Sequence, residues 1–386
     1  MNLKSRNRVL LFCGLGICLG LADAGARGQS AAGQSPAAPK LAEEQFKNIQ
    51  VLKGIPADQV IPSMQFISAS LGAECDYCHV RGDRALAFDK DDKKPKVTAR
   101  KMMQMMFAIN KDNFEGHREV TCYSCHRGAA DPVATPVITD ESANLHPEEE
   151  KKAGDAKPAL PASEDLLDKY LAAVGGADAL QKITSRIEKG SLSTPGQKDT
   201  VIELFAKAPD KRASIAHTPN GDSITAFDGH AGWLSFSGRV RMMSAADNEA
   251  ARMDGDLAFA AHLKTQYKKF VVASGEKIDG HDTYLVVGRN EGQPPLRLYL
   301  DQQSGLLLRL VRYGETPLGR NPTQIDYADY RTADGGVKIP YRWTIARPGN
   351  RFTIKVDQVQ QNVPIPDDKF APPPVPPAPE QKPATH

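Results

Sequence analysis

The sequence predicts a multidomain α + β chain, in which a small α-helical segment precedes a mostly antiparallel β domain with short helices. Three observations predict it. Between Leu41 and Ala130, apolar residues recur at helical spacing beside two Cys-x-x-Cys-His pentapeptides. A proline-rich, acidic stretch at 131–162 then breaks that pattern. From Ile183 onward, short runs of alternating apolar and polar residues are separated by Gly, Asn, Asp and Pro.

The elements follow in order. Lys4, Arg6 and Arg8 precede an apolar run from Val9 to Leu21 and the small residues Ala22-Asp23-Ala24. Basic, apolar and small-residue segments in that order read as a secretory signal over residues 1–24, cleaved after Ala24. The run is short for a membrane span. Cys18 is a poor lipidation site because bulky Ile17 precedes it. The expected location is therefore periplasmic, with membrane association left open. Residues 25–40, small and polar, read as a flexible arm, and 41–130 as the helical domain.

Within 41–130 a helix is predicted from Pro62 to Leu71. Proline suits a first helical position and Gly72 suits the residue just past the end. A second helix is predicted from Thr98 to Asn113, with Met102, Met105, Met106 and Ile109 at helical spacing. The two halves form a loose repeat of methionine-bearing helix, turn and CxxCH. Residues 131–162, with Pro132, Pro136, Pro158 and Pro161 and the Glu148-Glu149-Glu150 cluster, read as a linker.

Residues 163–370 form the β-rich domain. Ser163 is expected to cap a helix carrying Leu166, Leu167, Tyr170, Leu171 and Val174, which Gly175-Gly176 ends. Strands are expected over 200–207, 223–227, 283–288, 296–300, 306–313, 324–330 and 352–359. Turns are expected at Pro219-Asn220-Gly221-Asp222, Asp279-Gly280 and Asp334-Gly335-Gly336. Trp233, Phe236, Leu285 and Trp343 are expected in its core. The Pro-rich tail 371–386 reads as disordered.

Cysteine usage carries the chemistry. Of six cysteines, Cys13 and Cys18 lie in the signal, and the other four form Cys75-Asp-Tyr-Cys78-His79 and Cys122-Tyr-Ser-Cys125-His126. Two thiols that add across haem vinyl groups, with an imidazole directly behind to ligate the iron, are what covalent c-type haem attachment needs. A zinc site leaves the identically placed histidines without a role. A dithiol redox motif is single and lies near a βαβ unit, which is missing here. The expectation is two covalent haems, on Cys75 and Cys78 and on Cys122 and Cys125, with iron ligated by His79 and His126.

A thioether in the sixth position closes the site and raises the potential. Met64 is the natural candidate at the first haem, being the only methionine between the signal and Cys75. At the second haem, Met102, Met105 and Met106 share a helical face, and spacing does not choose among them. His117 is read as a surface histidine, with iron ligation as its alternative role; Arg127 pairs with a propionate or faces solvent. Residues 41–130 carry thirteen Lys/Arg against twelve Asp/Glu, so no basic face for nucleic acid exists.

These residues resemble the cytochrome c subunit of bacterial photosynthetic reaction centres. The matching text is Ile61-Pro-Ser-Met-Gln-Phe-Ile-Ser-Ala-Ser-Leu-Gly-Ala-Glu-Cys75-Asp-Tyr-Cys-His79, Ala99-Arg-Lys-Met-Met-Gln-Met105, Ile109-Asn110 and Val120-Thr-Cys-Tyr-Ser-Cys-His-Arg-Gly128. The resemblance implies Met64 as sixth ligand of the first haem and Met102 of the second. It also places His117 near a histidine that reaches a haem of the family's other half. This chain has one di-haem half, so that partner haem is missing, and photosynthesis is not implied. The β domain resembles, more loosely, the outer-membrane lipoprotein carrier and sorting group in Gln324-Ile-Asp-Tyr-Ala-Asp-Tyr-Arg331, Gly336-Val-Lys-Ile-Pro-Tyr341 and Val363-Pro-Ile-Pro-Asp-Asp-Lys-Phe370. That implies a half-barrel-like sheet able to hold a lipid or acyl chain. The expected function is electron transfer between a membrane oxidoreductase and a redox partner protein, not enzyme catalysis. The alternatives are a redox-linked lipid- or partner-binding protein and a di-haem peroxidase or small-molecule reductase.

Overall fold

The computed structural model describes residues 40–82, 85–133, 160–348 and 350–372. The predicted signal, nearly all of the arm, most of the linker and the end of the tail lie outside them. The described residues belong to one compact unit.

The helical region opens with α1 (Ala42–Gln45) and a 3₁₀ turn, Ala57–Gln59, that runs into α2 (Val60–Leu71). Pro62 is therefore the third residue of α2, within its first turn, rather than at its first position. The missing N–H costs nothing there, because the first four helical N–H groups have no intrahelical acceptor. Gly72 ends α2 as expected, at φ 61, with its N–H bonded to the Ser68 carbonyl. The first pentapeptide forms the single turn α3 (Cys75–Cys78), followed by a small ribbon of β1 (Val80–Arg81) and β2 (Leu86–Ala87). Helix α4 spans Lys94–Asn113, four residues longer at its start than the apolar spacing indicates, and Pro95 in its first turn explains the early start. The second pentapeptide is α5 (Cys122–His126).

The β region begins with α6 (Ser163–Ala173) and α7 (Ala177–Gln181). Ala162, not Ser163, is the N-cap of α6, and no side chain caps it; Glu164 and Asp165 in the first turn offset the helix dipole instead. Six strands follow as a meander: β3 (Ser185–Ser193), β4 (Thr200–Lys207), β5 (Lys211–Thr218), β6 (Gly221–Phe227), β7 (Gly232–Phe236) and β8 (Arg239–Met242). After α8 (Ala245–Gly255) and α9 (Phe259–Gln266) comes a second meander. It comprises β9 (Lys269–Ser274), β10 (Thr283–Arg289), β11 (Leu296–Asp301), β12 (Leu307–Thr316), β13 (Gly319–Thr332), β14 (Lys338–Arg347) and β15 (Asn350–Gln361).

Pairing of β3 with β15 joins the meanders into one thirteen-stranded antiparallel sheet. Strands β8 and β9 are its two edges, so the sheet is not closed into a barrel. Turn chemistry sets the register. Asp279 and Gly280 take φ of 47° and 84° between bridged Ile278 and His281, the twist two-residue hairpin turns prefer. Period-two alternation is literal in β11. Leu296, Leu298 and Leu300 enter the main core with Leu167 and Tyr170 of α6, Leu180 of α7 and Leu263 of α9, while Tyr299 points to the opposite face with Ile278 and Val311.

Trp233 is buried as expected, and its Nε1–H donates to the Phe370 carbonyl at 2.9 Å. Leu285 and Trp343 pack partly buried against cores. Phe236 departs from expectation. It is 59% exposed, because it ends β7 beside the edge strand β8, where little protein lies above it.

Candidate haem site

Each pentapeptide is a one-turn helix that brings two thiols and an imidazole to one short segment. In α3 the His79 N–H bonds back to the Cys75 carbonyl at 3.0 Å. In α5 the Thr121 N–H donates to Ser124 Oγ at 3.0 Å and starts the turn. All four cysteines are free thiols; Cys75 and Cys125 are exposed, Cys78 and Cys122 half-buried. Burial pushes the Cys78 and Cys122 thiols up from their ordinary values.

The histidines are held in two ways. His126 Nδ1 lies 3.0 Å from the Ala129 carbonyl. A hydrogen bond there fixes Nδ1 as the protonated nitrogen and leaves Nε2 with its lone pair for a metal. The His79 ring packs edge-on against Phe88 with centroids 4.9 Å apart, and its Nδ1 is buried without a hydrogen-bond partner. Burial, with Lys96 and Arg100 nearby, lowers its pKa and favours the neutral, ligating imidazole.

The loop over His79 is tied by charge. Lys96 is 8% exposed, and its Nζ donates to the carbonyls of Phe88 (2.8 Å) and Lys90 (2.6 Å) and pairs with Asp91 at 2.9 Å. Arg100 Nη1 reaches the other Asp91 oxygen at 2.8 Å. Hydrogen bonds from Arg100, Lys96 and Asn48 hold the Asp91 carboxyl far below the usual carboxylate range. On the second side, buried Asn110 does the equivalent work. Its Nδ2 donates to the Val120 carbonyl at 2.7 Å, and its Oδ1 accepts from the Glu119 and Val120 N–H groups at 3.1 and 2.9 Å. Sequence reasoning gave neither Lys96 nor Asn110 a role. A lysine or asparagine inside an amphipathic helix carries no signal that its tip ends on loop carbonyls.

The helices dock crosswise on the pentapeptides. The end of α2 lies on the segment after α5: Gly128 N–H donates to the Ser70 carbonyl at 2.9 Å. A Cβ at Gly72 would sit 2.1 Å from the Gly128 carbonyl oxygen. The start of α4 meets α3 through Lys93 Nζ, which donates to the Asp76 carbonyl.

The structure separates the candidate methionines by environment. Met64 is half-buried at the edge of the cluster formed by Leu52, Phe66, Met103, Met106 and Leu318. Met102 and Met105 are exposed (38% and 48%), whereas Met106 is 5% exposed and packs with Met103 inside that cluster. His117 lies exposed in the loop after α4. Arg127, at φ 49°, caps α5 and is in no ion pair among the described residues.

Do these residues fit a haem? Among the described residues no three His, Cys, Asp or Glu side chains converge as a metal-binding cluster. The pentapeptides themselves carry exposed Tyr77 and Tyr123, exposed Phe88 packs on His79, and Met102 and Met105 are exposed on α4. Exposed aromatic side chains within and against the pentapeptides, with paired thiols and a metal-competent imidazole, fit a covalently attached macrocycle.

Compared with known families, residues 24–200 match the family described as the photosynthetic reaction centre cytochrome C subunit. The photosynthetic reaction center cytochrome c subunit of Thermochromatium tepidum is 36% identical over 92 residues, 22% of each chain. That of Roseobacter denitrificans is 38% identical over 99 residues, 23% of this chain and 26% of the relative. The match thus spans about a quarter of the length of those relatives. Likeness to cytochromes c implies covalent c-type haem in this stretch. Among solved structures, a LolA superfamily protein of Nitrosomonas europaea resembles 55% of this chain and 99% of its own, at 15% identity and a TM-score of 0.37.

Proposed function

We propose that this chain is an exported, periplasmic di-haem c-type cytochrome that carries electrons between a membrane oxidoreductase and a redox partner protein. The observation that carries the reading is the pair of CxxCH turns, each with free thiols and a histidine suited to ligation, docked against methionine-bearing helices. Cys75 and Cys78 hold the first haem and Cys122 and Cys125 the second. His79 and Met64 ligate the first iron. His126 and Met102 ligate the second.

Exposure supports Met102 over Met106, whose side chain is committed to the protein core. Met105 remains an alternative by exposure, and Met102 is preferred on the Ala-Arg-x-Met resemblance. His117 is left as a surface residue.

Bound haem supplies a one-electron couple. The chain's own residues do the rest. The Ala129 carbonyl and the Lys96–Asp91 knot hold the imidazoles, the thioethers fix the macrocycles, and the methionines close the sixth positions to small molecules. Closed sites favour a carrier over a peroxidase or small-molecule reductase. Carbon monoxide added to the reduced protein tests this: unchanged spectra fit the carrier, and rapid binding at either haem refutes it.

A second reading concerns the sheet. A cavity of about 840 Å³ lies under it, lined by Ile202, Leu204, Trp343 and Ile345 together with Arg186 and Glu188. The lining is mixed, with Arg212, Asp254, Arg312 and Arg347 beside the apolar residues, so what supports a lipid or acyl ligand is an apolar wall facing charged side chains able to meet a polar head. Native mass spectrometry of the gently purified protein is expected to show a bound lipid that organic extraction removes. A ligand-free spectrum from the same preparation refutes it.

A further inference from the structure

Hairpin tips are ordinarily the most exposed part of a β domain, because buried turns strand polar backbone groups. The β12–β13 tip breaks that rule. Thr316 and Gly319 pair across a two-residue turn, Pro317-Leu318. Leu318 is 0% exposed and Thr316 3%. The buried backbone is satisfied internally: Thr316 Oγ1 donates to the Gly319 carbonyl at 2.7 Å and accepts from the Leu318 and Gly319 N–H groups at 3.2 and 3.0 Å.

What buries the tip is the helical region. Leu318 completes the cluster of Leu52, Phe66 from α2, and Met103 and Met106 from α4, with Met64 and Cys122 packed at its margin. Gly319 lies so close that a Cβ there would fall 2.2 Å from the Phe66 ring. Asn321 Nδ2 donates to the Pro62 carbonyl in the first turn of α2 at 2.9 Å. Arg118, in the loop leading to the second pentapeptide, donates to the Thr316 carbonyl and to Glu315.

One hairpin therefore holds the helix of Met64, the helix of Met102 and the approach to Cys122. Phe66 lies about 200° round α2 from Met64, at 3.6 residues per turn. The tip thus packs on the Phe66 face of α2, with Met64 at the margin of the same cluster. We infer that Leu318 is a positioning residue for the axial methionines: the β sheet, through the β12–β13 tip, sets how far the two ligand-bearing helices can retreat from the irons. The inference rests on the di-haem reading above. It gives the β domain a role in the electron-transfer site that needs no ligand of its own.

The test uses full-length holo-protein. Loss of a buried leucine leaves a cavity into which neighbours relax. Leu318→Ala is expected to weaken the methionine-to-ferric-haem charge-transfer band and to lower the potential of at least one haem. A tenfold loss of the thioether's preference for ferrous iron reads as about 59 mV. Leu318→Met, which refills the space, is expected to restore both. Leu298→Ala, in the distant sheet core, is expected to lower the melting temperature while leaving band and potentials unchanged.

If Leu318→Ala fails to load haem, Asn321→Ala carries the same test, with the same expected direction. Unchanged band and potentials in these variants, beside a wild type that has the band, overturn the positioning role alone. So does an equal shift in Leu298→Ala. A wild type with covalent haems but no methionine band overturns the ligand reading, and the positioning role with it.

Discussion

One hydrogen bond at His126 holds Nδ1 and leaves Nε2 for a metal, and in the proposed function Met64 and Met102 take the opposite positions on the two irons. Met64→Ala and Met102→Ala are each expected to abolish the charge-transfer band of one haem and to lower its potential by at least about 60 mV, a tenfold change in relative affinity. Spectroelectrochemistry reads both. Met106→Leu, which preserves core volume, should leave both potentials in place, and a loss of one haem's band in that variant would move the ligand to Met106. Asn110 serves a different purpose, tying the 119–120 backbone that delivers Cys122. Asn110→Ala strands buried backbone groups and is expected to cost about 1–3 kcal/mol in denaturant unfolding. A cost below about 0.5 kcal/mol would show that water replaces the amide. At this scale the two pentapeptides were readable from sequence, because two cysteines and a histidine fall within five residues in each; their attachment to haem is part of the proposed function. The tips of Lys96 and Asn110 were not, because their partners are carbonyls, which every residue has.

Among elements, the α2 terminus carries the tightest requirement. Gly72 combines a φ of 61° with a carbonyl where its Cβ would stand. Gly72→Ala is expected to cost about 1–3 kcal/mol in conformational strain, with more from the contact, and to lower the melting temperature by circular dichroism. An unchanged melt would mean that α2 ends otherwise in solution. Helix α8 is tied to β5 and β12 by Asp254, which Arg212 meets at 2.9 Å and Arg312 at 2.8 Å. Burial alone would raise its pKa, but Arg312 and Arg212 overcome it and hold the carboxyl below its ordinary value. Stability from this pair is complete above the unfolded value of about 3.9 and is lost as pH falls through the lower, folded value. Asp254→Asn should flatten that part of the acid limb of urea midpoint against pH; parallel limbs would contradict the assignment. Turns such as Asp279-Gly280 and strands such as β4 were readable because local φ and period two specify them. The Ser163 cap missed by one residue, where helix ends slide at little cost.

Across the whole molecule, the helical region and the sheet share a core through Leu318. Nothing in Pro317-Leu318-Gly319 marks a leucine destined for another layer: a turn has no periodicity, and its partners lie more than two hundred residues away in sequence. The open sheet was legible in outline and this contact was not. A chain ending at residue 133 would lack Leu318, whose removal costs about 2–5 kcal/mol. It is expected to melt less cooperatively than the haem region of the intact chain, and equal melts would show that the helices need no support. The central claim is that this chain bears two covalent c-type haems. Denaturing mass spectrometry of protein matured in a periplasm with cytochrome c assembly tests it most directly. The account predicts a mass above that of the signal-cleaved polypeptide by two haems, falling to one when Cys75 and Cys78 are both changed to serine. A mass equal to the bare polypeptide would contradict it.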